Sequence, residues 1–186
     1  MPEKPAVRET IESLATAVLI VTFITVFAGR LCRVKGPCME PALYTGQWLW
    51  TDKIGYALGQ PRRGDIVVFK YHETKDKYIK RLIGLPGETI QISGGRLLVN
   101  GVRIEEPYSL EPSLSDYGPV TVPPDSYFVL GDNRNHSDDS RGSVGFLPRG
   151  RIEGRAVARL WPVWQLRVFE RPKYETNDST GAQIQE

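Results

Sequence analysis

A long apolar segment near the N-terminus is the first strong feature of the hydrophobic pattern. The run SLATAVLIVTFITVFAG, from Ser13 to Gly29, contains neither a charged residue nor a proline. As a helix it would extend about 25 Å, slightly less than the roughly 30 Å core of a bilayer. Arg30 can direct its head group outward along its aliphatic stem, which lets Leu31 and Cys32 complete the span. We therefore predict a transmembrane anchor over residues 13–32.

Two other interpretations of this segment stay open. A buried helix of a soluble domain has the same apolar character. A cleavable signal peptide also fits, because Val26-Phe27-Ala28 places a small residue just before Gly29 and the run is short for a span. That interpretation gives a soluble secreted β protein, and it is distinguished from an anchored one by whether residues 1–28 remain attached after expression.

Beyond residue 32 the pattern changes to short apolar runs that alternate with turn residues. Ile66–Tyr71 and Tyr78–Leu85 are two such runs, rich in β-branched and aromatic residues. Gly94-Gly95 and Asn100-Gly101 supply the positive φ of tight turns and predict consecutive hairpins. The stretch from Glu105 to Pro124 is rich in Pro, Ser and Asp and is predicted to be an exposed excursion. No helical period appears outside the anchor, so we predict a mostly β, antiparallel domain.

The chain is predicted to have four parts. An N-terminal segment covers residues 1–12, the anchor 13–32, a β-rich domain 33–170, and a polar, disordered tail 171–186. A length of 186 residues suits one domain with such appendages. The net charge of +2, from 24 basic and 22 acidic residues, gives no reason to expect a nucleic acid as partner.

Few residues of the chain are typical general bases or metal ligands. The two histidines, His72 and His136, lie in polar, turn-like sequence and are interpreted as solvated loop residues. Neither has a clustered cysteine or acidic partner at metal-site spacing, so no metal is predicted. Cys32 and Cys38 are too few for a disulfide framework, and whether they pair with each other stays open.

Lysine can replace histidine as a general base if burial lowers its pKa from about 10.4 towards neutrality. Lys80 is the candidate, because it lies in the apolar run Tyr78–Ile83. In a strand, alternation would place Lys80 on the same face as Tyr78 and Leu82. Taken alone, a Lys-Arg pair is also typical of a solvated strand edge.

Three separated motifs favour the catalytic interpretation. They are GPCMEPAL over Gly36–Leu43, RGDIVVF over Arg63–Phe69 with YIKRLIGLPGE over Tyr78–Glu88, and GDNRNHSDDSRG over Gly131–Gly142, continued by Gly145 and Pro148. In this order they resemble the boxes of bacterial type I signal peptidases (leader peptidases). In that family a serine followed by Met-x-Pro-x-Leu is the nucleophile and a later lysine is the base. The resemblance extends from Val34 to Ala158.

The resemblance implies a signal-peptidase-like β domain, the catalytic domain, held on the extracytoplasmic side of the cell membrane by one N-terminal transmembrane helix, with residues 1–12 in the cytoplasm. It implies an endopeptidase that removes signal peptides after small-x-small sites and needs no metal or organic cofactor. The implied partners are secretory precursors and the lipid bilayer, with no oligomeric state specified. The positively charged residues after the anchor would by themselves predict that the large domain lies in the cytoplasm: Arg30, Arg33 and Lys35. The orientation implied by the resemblance takes precedence over this count.

Position by position, the resemblance implies that Cys38 is the nucleophile, Lys80 the base, and Ser137 the hydroxyl that orients Lys80 through a hydrogen bond. Asp139 and Arg141 would form a supporting ion pair. The residues implied to shape the same loop are Asp132, Asn133 and Arg134. Those implied to line the pockets for small substrate side chains are Val34, Met39, Leu43, Tyr78 and Ile79. The remaining loop residues are interpreted as a polar turn: Asn135, His136 and Asp138.

The cysteine at the nucleophile position departs from the family pattern. A thiol with a pKa of about 8.5 can give its proton to Lys80 before attack, whereas a serine needs neutral lysine during attack. The thiolate also leaves easily, so the adduct reverts unless the amine is protonated promptly. Three interpretations of the cysteine stay open. The chain is a working cysteine variant, an impaired paralogue that binds signal peptides without cleaving them, or a protein into which the substitution was introduced. The oxyanion donor would be the backbone N–H of Cys38, since Gly36 offers no hydroxyl.

Overall fold

A computed structural model describes residues 6–27, 29–71, 77–172 and 174. Over these residues the chain forms two α-helices and twelve mostly short strands. The helices are α1 (Ala6–Phe27) and α2 (Ile54–Leu58). The strands are β1 (Gly29–Arg33), β2 (Trp48–Asp52), β3 (Ile66–Lys70), β4 (Lys77–Gly84), β5 (Thr89–Ser93), β6 (Arg96–Val99), β7 (Val102–Arg103), β8 (Tyr117–Thr121), β9 (Ser126–Leu130), β10 (Leu147–Pro148), β11 (Ile152–Trp161) and β12 (Arg167–Val168).

The N-terminal helix coincides only in part with the predicted anchor. α1 ends at Phe27 and β1 begins at Gly29. In β1, Leu31 and Cys32 pair with residues of β2, so the expectation that they complete a helical span is wrong. Their pairing with β2 fixes an extended backbone that a helix cannot share. No helix within the described residues is long and apolar enough to cross a membrane.

The strands form two antiparallel sheets, which confirms the predicted mostly β fold. The larger sheet has the order β1-β2-β11-β3-β4-β9-β10, with β12 paired to β11. Within it, β4 lies between β3 and β9. Residues 77–81 of β4 pair with β3, whereas only residues 81–84 pair with β9. The smaller sheet has the order β7-β6-β5-β8.

Both predicted hairpin turns are present in the smaller sheet. Gly94 and Gly95 have positive φ and join β5 to β6, while Asn100 and Gly101 do the same between β6 and β7. The predicted excursion over Glu105–Pro124 is only partly irregular. It contains β8, which pairs with β5. The composition of the segment does not predict this strand, because its residues include Gly and Pro.

The polar tail is predicted to be disordered from residue 171, but its described residues are packed. The Arg171 guanidinium lies 2.7 Å from the buried carboxylate of Asp65. Tyr174 packs edge-on against Tyr108, and burial raises the pKa of Tyr174 to about 12. The expectation is therefore wrong for the start of the tail, because partners distant in sequence hold it. Residues 173 and 175–186 lie outside the described residues.

One hydrophobic cluster supports the turn that follows β1. Its buried members come from that turn and from four strands: Val34, Met39, Leu43, Leu49, Ile66, Val68, Ile79 and Ala156. Full burial of each large apolar side chain contributes roughly 1.5–3 kcal/mol. The turn is thus fixed to the sheet by its own apolar residues.

Candidate active site

The turn between β1 and β2 positions Cys38. Gly36 has a φ of +80°, a value that favours glycine and reverses the chain before Cys38. Met39 and Leu43 are both fully buried, and the Leu43 N–H donates to the Met39 carbonyl at 2.8 Å. Cys38 itself is only partly buried, because the apolar residues on its C-terminal side enter the core and leave it at the surface of the cluster.

Lys80 lies in the middle of β4, opposite Val67 of β3. Only 2% of its surface is exposed. Its ammonium lies 5.8 Å from the centroid of the Tyr78 ring, which confirms that the two side chains share a face. Arg81 points to the opposite face and is also buried, so the interpretation of the Lys-Arg pair as a solvated edge is wrong.

Cys38 and Lys80 line the same cavity. It has a volume of about 330 Å³. The Cys38 Sγ lies 3.8 Å from the carbonyl oxygen of Ile79, the residue before Lys80. The residues that line the cavity are Lys35, Gly36, Cys38, Lys77, Tyr78, Ile79, Lys80 and Asp138.

The five predicted pocket residues fall into two groups. Tyr78 and Ile79 line the cavity. Val34, Met39 and Leu43 do not line it and are buried in the cluster beneath it. Motif position alone does not reveal on which side of the turn each side chain points, and packing has placed these three inwards.

The loop after β9 holds the turn that carries Cys38. The Asn133 backbone N–H donates to the Cys38 carbonyl at 3.1 Å, and the Asn133 side-chain amide donates to the Pro37 carbonyl at 3.3 Å. Gly131 has no room for a side chain, since a Cβ there would lie within 3.0 Å of both the Ser137 hydroxyl and the Cys38 carbonyl. The loop therefore brings the Ser137 hydroxyl and the Cys38 carbonyl together at the place where Gly131 lacks a side chain.

Buried ion pairs fix this loop. The predicted pair is confirmed: Arg141 binds both oxygens of Asp139 at 2.8 Å, and Asp139 accepts a further bond from the Gly131 N–H at 3.0 Å. The Arg81 guanidinium is bidentate on Asp132, at 2.8 and 2.6 Å. Bidentate pairs of this kind have a planar, fixed geometry, so the Arg81–Asp132 pair fixes the start of the loop relative to β4.

The third pair joins the loop to the segment after β7. Arg134 is bidentate on Glu106 and donates from Nε to the Gly131 carbonyl at 3.1 Å. Asp132, Asn133 and Arg134 thus shape the loop, as the resemblance implies.

Ser137 is placed differently from the prediction. Its Oγ is buried and has no hydrogen-bond partner among the described residues, so the predicted bond to Lys80 is not formed. The predicted polar turn is correct for His136, which is exposed and contacts Asn133 at 3.2 Å. His72 lies outside the described residues.

Sequence reasoning misses three charged residues of the cavity, Lys35, Lys77 and Asp138, and Asp138 is the one that carries a negative charge. The sequence pattern assigns it to the polar turn, yet it lines the cavity with Cys38 and Lys80. Hydrogen bonds from Ser143 lower the pKa of Asp138 below its usual value, and the charge of Lys80 acts in the same direction. The pair Asp138-Asp139 in the motif is the sequence signal that could have indicated this placement in the cavity, since consecutive residues of a loop can face opposite sides and only one of the two is needed for the ion pair with Arg141.

Cys32 is a free thiol, as is Cys38. Burial raises the pKa of Cys32. This shift leaves Cys32 as a thiol rather than a thiolate at neutral pH.

Comparison with known proteins identifies the family. Residues 7–161 match the family described as signal peptidase, peptidase S26. The chain is 43% identical over 166 residues to a signal peptidase I of Leptolyngbya laminosa, covering 85% of this chain and 81% of that protein. It is 35% identical over 175 residues to a signal peptidase I of Bacillus licheniformis, covering 89% and 94%.

A crystal structure of a signal peptidase I from Enterococcus faecalis V583 gives a TM-score of 0.46 at 38% identity, covering 52% of this chain and 96% of that one. The family match spans the Cys38 turn, β4 and the loop after β9. The chain therefore belongs to the signal peptidase family, peptidase S26, and is a peptide hydrolase of the signal peptidase I type.

Proposed function

We propose that this peptidase removes signal peptides from exported precursors, with Cys38 as nucleophile and Lys80 as general base. The observation that supports this most directly is that both side chains line one cavity of about 330 Å³ while Lys80 is almost fully buried. A buried lysine beside a thiol can exchange a proton with it without competition from bulk water.

Attack begins with transfer of the Cys38 thiol proton to Lys80. The thiolate then forms a bond to the carbonyl carbon of the scissile peptide, and the carbonyl oxygen becomes negatively charged. The Cys38 backbone N–H is the proposed donor to that oxygen, and it makes no hydrogen bond within the described part of the chain. Because the Asn133 side-chain amide donates to the Pro37 carbonyl, which belongs to the same planar peptide unit, this N–H keeps a fixed direction.

Collapse of the adduct breaks the C–N bond. Lys80 gives its proton to the departing amine, which leaves a thioester on Cys38 and neutral Lys80. Neutral Lys80 then takes a proton from water, and the hydroxide formed attacks the thioester and releases Cys38. Ser137, whose buried hydroxyl lacks a partner among the described residues, is available to orient Lys80 during these transfers.

The cavity suits short side chains on the substrate. Tyr78 and Ile79 form its apolar wall, and the buried cluster of Val34, Met39 and Leu43 supports that wall from beneath. We propose that precursors with small-x-small sites enter along β4, so that the scissile carbonyl reaches Cys38.

We further propose that α1 holds the enzyme at the membrane. Apolar side chains such as Leu14 and Leu19 are exposed on this helix, where they can contact the apolar region of a bilayer. Leu19→Asp should release the protein from vesicles in a flotation assay. Leu110→Asp, at an exposed leucine outside the helix, should leave it bound. Release by both variants, or by neither, would contradict the proposal.

Cleavage of a signal-bearing precursor by the detergent-solubilised enzyme tests the dyad. The unmodified chain should cut, whereas Cys38→Ala and Lys80→Ala should reduce cleavage at least about 1,000-fold, because each removes a group that forms or breaks bonds. Circular dichroism serves as the folding control. If only Cys38→Ser cuts, the chain is a disabled peptidase that binds signal peptides, and the proposal fails.

A further inference from the structure

Asp138 is fixed on the wall of the catalytic cavity by one neighbour. Its Oδ1 accepts the backbone N–H of Ser143 at 2.9 Å, and its Oδ2 accepts the Ser143 hydroxyl. The Ser143 hydroxyl in turn accepts a bond from the Tyr71 hydroxyl at 2.6 Å. Although Asp138 is exposed, its carboxylate is therefore held in one place, and Ser143 is held with it.

The same chain of contacts leads back to Lys80. The Tyr71 ring lies 4.7 Å, centroid to centroid, from the Tyr78 ring. Tyr78 is the ring beside the Lys80 ammonium, at 5.8 Å. Asp138 and the aromatic neighbour of Lys80 thus belong to one connected group of side chains.

Asp138 is the only carboxylate that lines the cavity in the described part of the protein. The titratable groups that share the cavity with Lys80 are Lys35 and Cys38 from the turn after β1, Lys77 and Tyr78 from β4, and Asp138 from the loop after β9. Lys77 is paired with Glu153 of β11 at 2.5 Å, and Lys35 is exposed. Asp138 is therefore the negative charge available to Lys80.

Charge interactions act equally on both partners. The hydrogen bonds from Ser143 lower the pKa of Asp138 most, and the charge of Lys80 contributes to the same shift. Asp138 is thus anionic at neutral pH. Because opposite charges attract, a carboxylate fixed on the wall of this cavity stabilises a positive charge inside it.

We propose that Asp138 is a positioning residue that adapts the dyad to cysteine, because its carboxylate favours the ammonium form of Lys80 that accompanies a Cys38 thiolate. The inference rests on the proposed function. With a serine nucleophile the active form would need neutral Lys80, and the same carboxylate would oppose it. Cysteine at position 38 and aspartate at position 138 thus form a matched pair.

The proton transfers of the reaction explain why Asp138 suits a cysteine nucleophile. When the thiol proton moves to Lys80, the dyad contains one negative and one positive charge, and Asp138 stabilises the positive one. Lys80 later gives this same proton to the leaving amine as the C–N bond breaks. An enzyme with serine would start instead from a neutral hydroxyl and a neutral amine, which Asp138 does not stabilise.

The test combines substitutions at both positions. Precursor cleavage is measured from about pH 6 to about pH 10 for the unmodified chain, Asp138→Asn, Cys38→Ser and the double variant. We expect Asp138→Asn to lower cleavage about 5- to 10-fold near neutral pH with cysteine and to raise it by a similar factor with serine. Asp138→Glu, which retains the charge, should behave like the unmodified chain. A merely structural role would lower cleavage in both backgrounds, and that result, or no change, would overturn the proposal.

A second readout does not depend on cleavage. In a Cys32→Ser background, Cys38 is the one remaining cysteine, and its rate of alkylation by iodoacetamide reports the thiolate. Asp138→Asn should lower this rate several-fold near neutral pH, and the difference should disappear when Lys80→Met is added. If no variant cleaves, the proposed function fails while the alkylation rates still decide the role of Asp138. An unchanged alkylation rate would overturn that role.

Discussion

The loop after β9 has two sides that satisfy their polar groups in opposite ways. On its inner side, every buried carboxylate named above meets a guanidinium in a bidentate pair: Arg81 with Asp132, Arg134 with Glu106, and Arg141 with Asp139. On the side that faces Cys38, the Ser137 hydroxyl has no hydrogen-bond partner among the described residues, and the carboxylate of Asp138 is bound by Ser143 rather than by a guanidinium. The paired side determines the geometry, and the unpaired side retains groups free to react.

Breaking the paired side should give the largest effect. Asp132→Asn leaves the Arg81 guanidinium buried without its carboxylate, and we expect the free energy of unfolding in urea to fall by about 3–5 kcal/mol. The control is Glu105→Gln in the exposed Arg103–Glu105 pair, where the side chains are 41% and 45% exposed and the loss should be below about 1 kcal/mol. Equal losses would show that burial does not distinguish the two pairs.

The second-largest effect should come from adding a methyl group at Gly131, where the Ser137 hydroxyl and the Cys38 carbonyl meet. In Gly131→Ala the new methyl group would displace Ser137 or the Cys38 carbonyl, and we expect precursor cleavage to fall about 100-fold. Gly150→Ala is the matched control, because no atom lies within 4 Å of the place that its methyl group would occupy and the backbone there is unstrained. A normal rate for Gly131→Ala would mean that this contact does not set the position of Cys38.

Loosening the turn should have a smaller effect. Asn133→Ala removes the side-chain bond to Pro37 but retains the backbone bond to Cys38, so cleavage should fall about 10-fold. Asn135→Ala serves as the comparison, because that amide bonds to Glu111 and Pro112 instead. If the two variants lose the same activity, the turn is not held through Asn133.

The smallest effect should have the opposite sign. Ser137→Ala removes a buried hydroxyl that has no partner in the described structure, and we expect it to raise the free energy of unfolding by about 1 kcal/mol while it slows cleavage. Ser140→Ala should instead destabilise the protein by about 1–3 kcal/mol, since the Ser140 hydroxyl accepts the Val129 N–H at 2.8 Å. Destabilisation by Ser137→Ala would indicate that its hydroxyl is satisfied in solution.

Local rules predict the parts of the fold that depend on neighbours in sequence. Alternation in β4 places Lys80 beside Tyr78, and glycine-containing pairs mark both hairpins of the smaller sheet. The Asp139–Arg141 pair is implied by the family resemblance rather than by local rules, and the structure contains it.

The remaining features depend on distant partners. Leu31 continues an apolar run, and only pairing with β2 makes it part of a strand. Met39 and Asp138 occur in motifs that do not specify direction, so their placement in the core and at the cavity requires the packed sheets. Arg171 is ordered by Asp65, which lies more than a hundred positions earlier in the chain.

The hydrogen bonds that hold the turn have an evolutionary consequence. Position 38 contributes its carbonyl to the bond with Asn133, and Pro37 contributes its carbonyl as well. No part of this support depends on whether the reactive atom is sulfur or oxygen. A lineage can therefore exchange serine and cysteine at this position by a single nucleotide change and inherit an intact scaffold, so that selection then acts on the reactivity of that atom and on the charge at position 138.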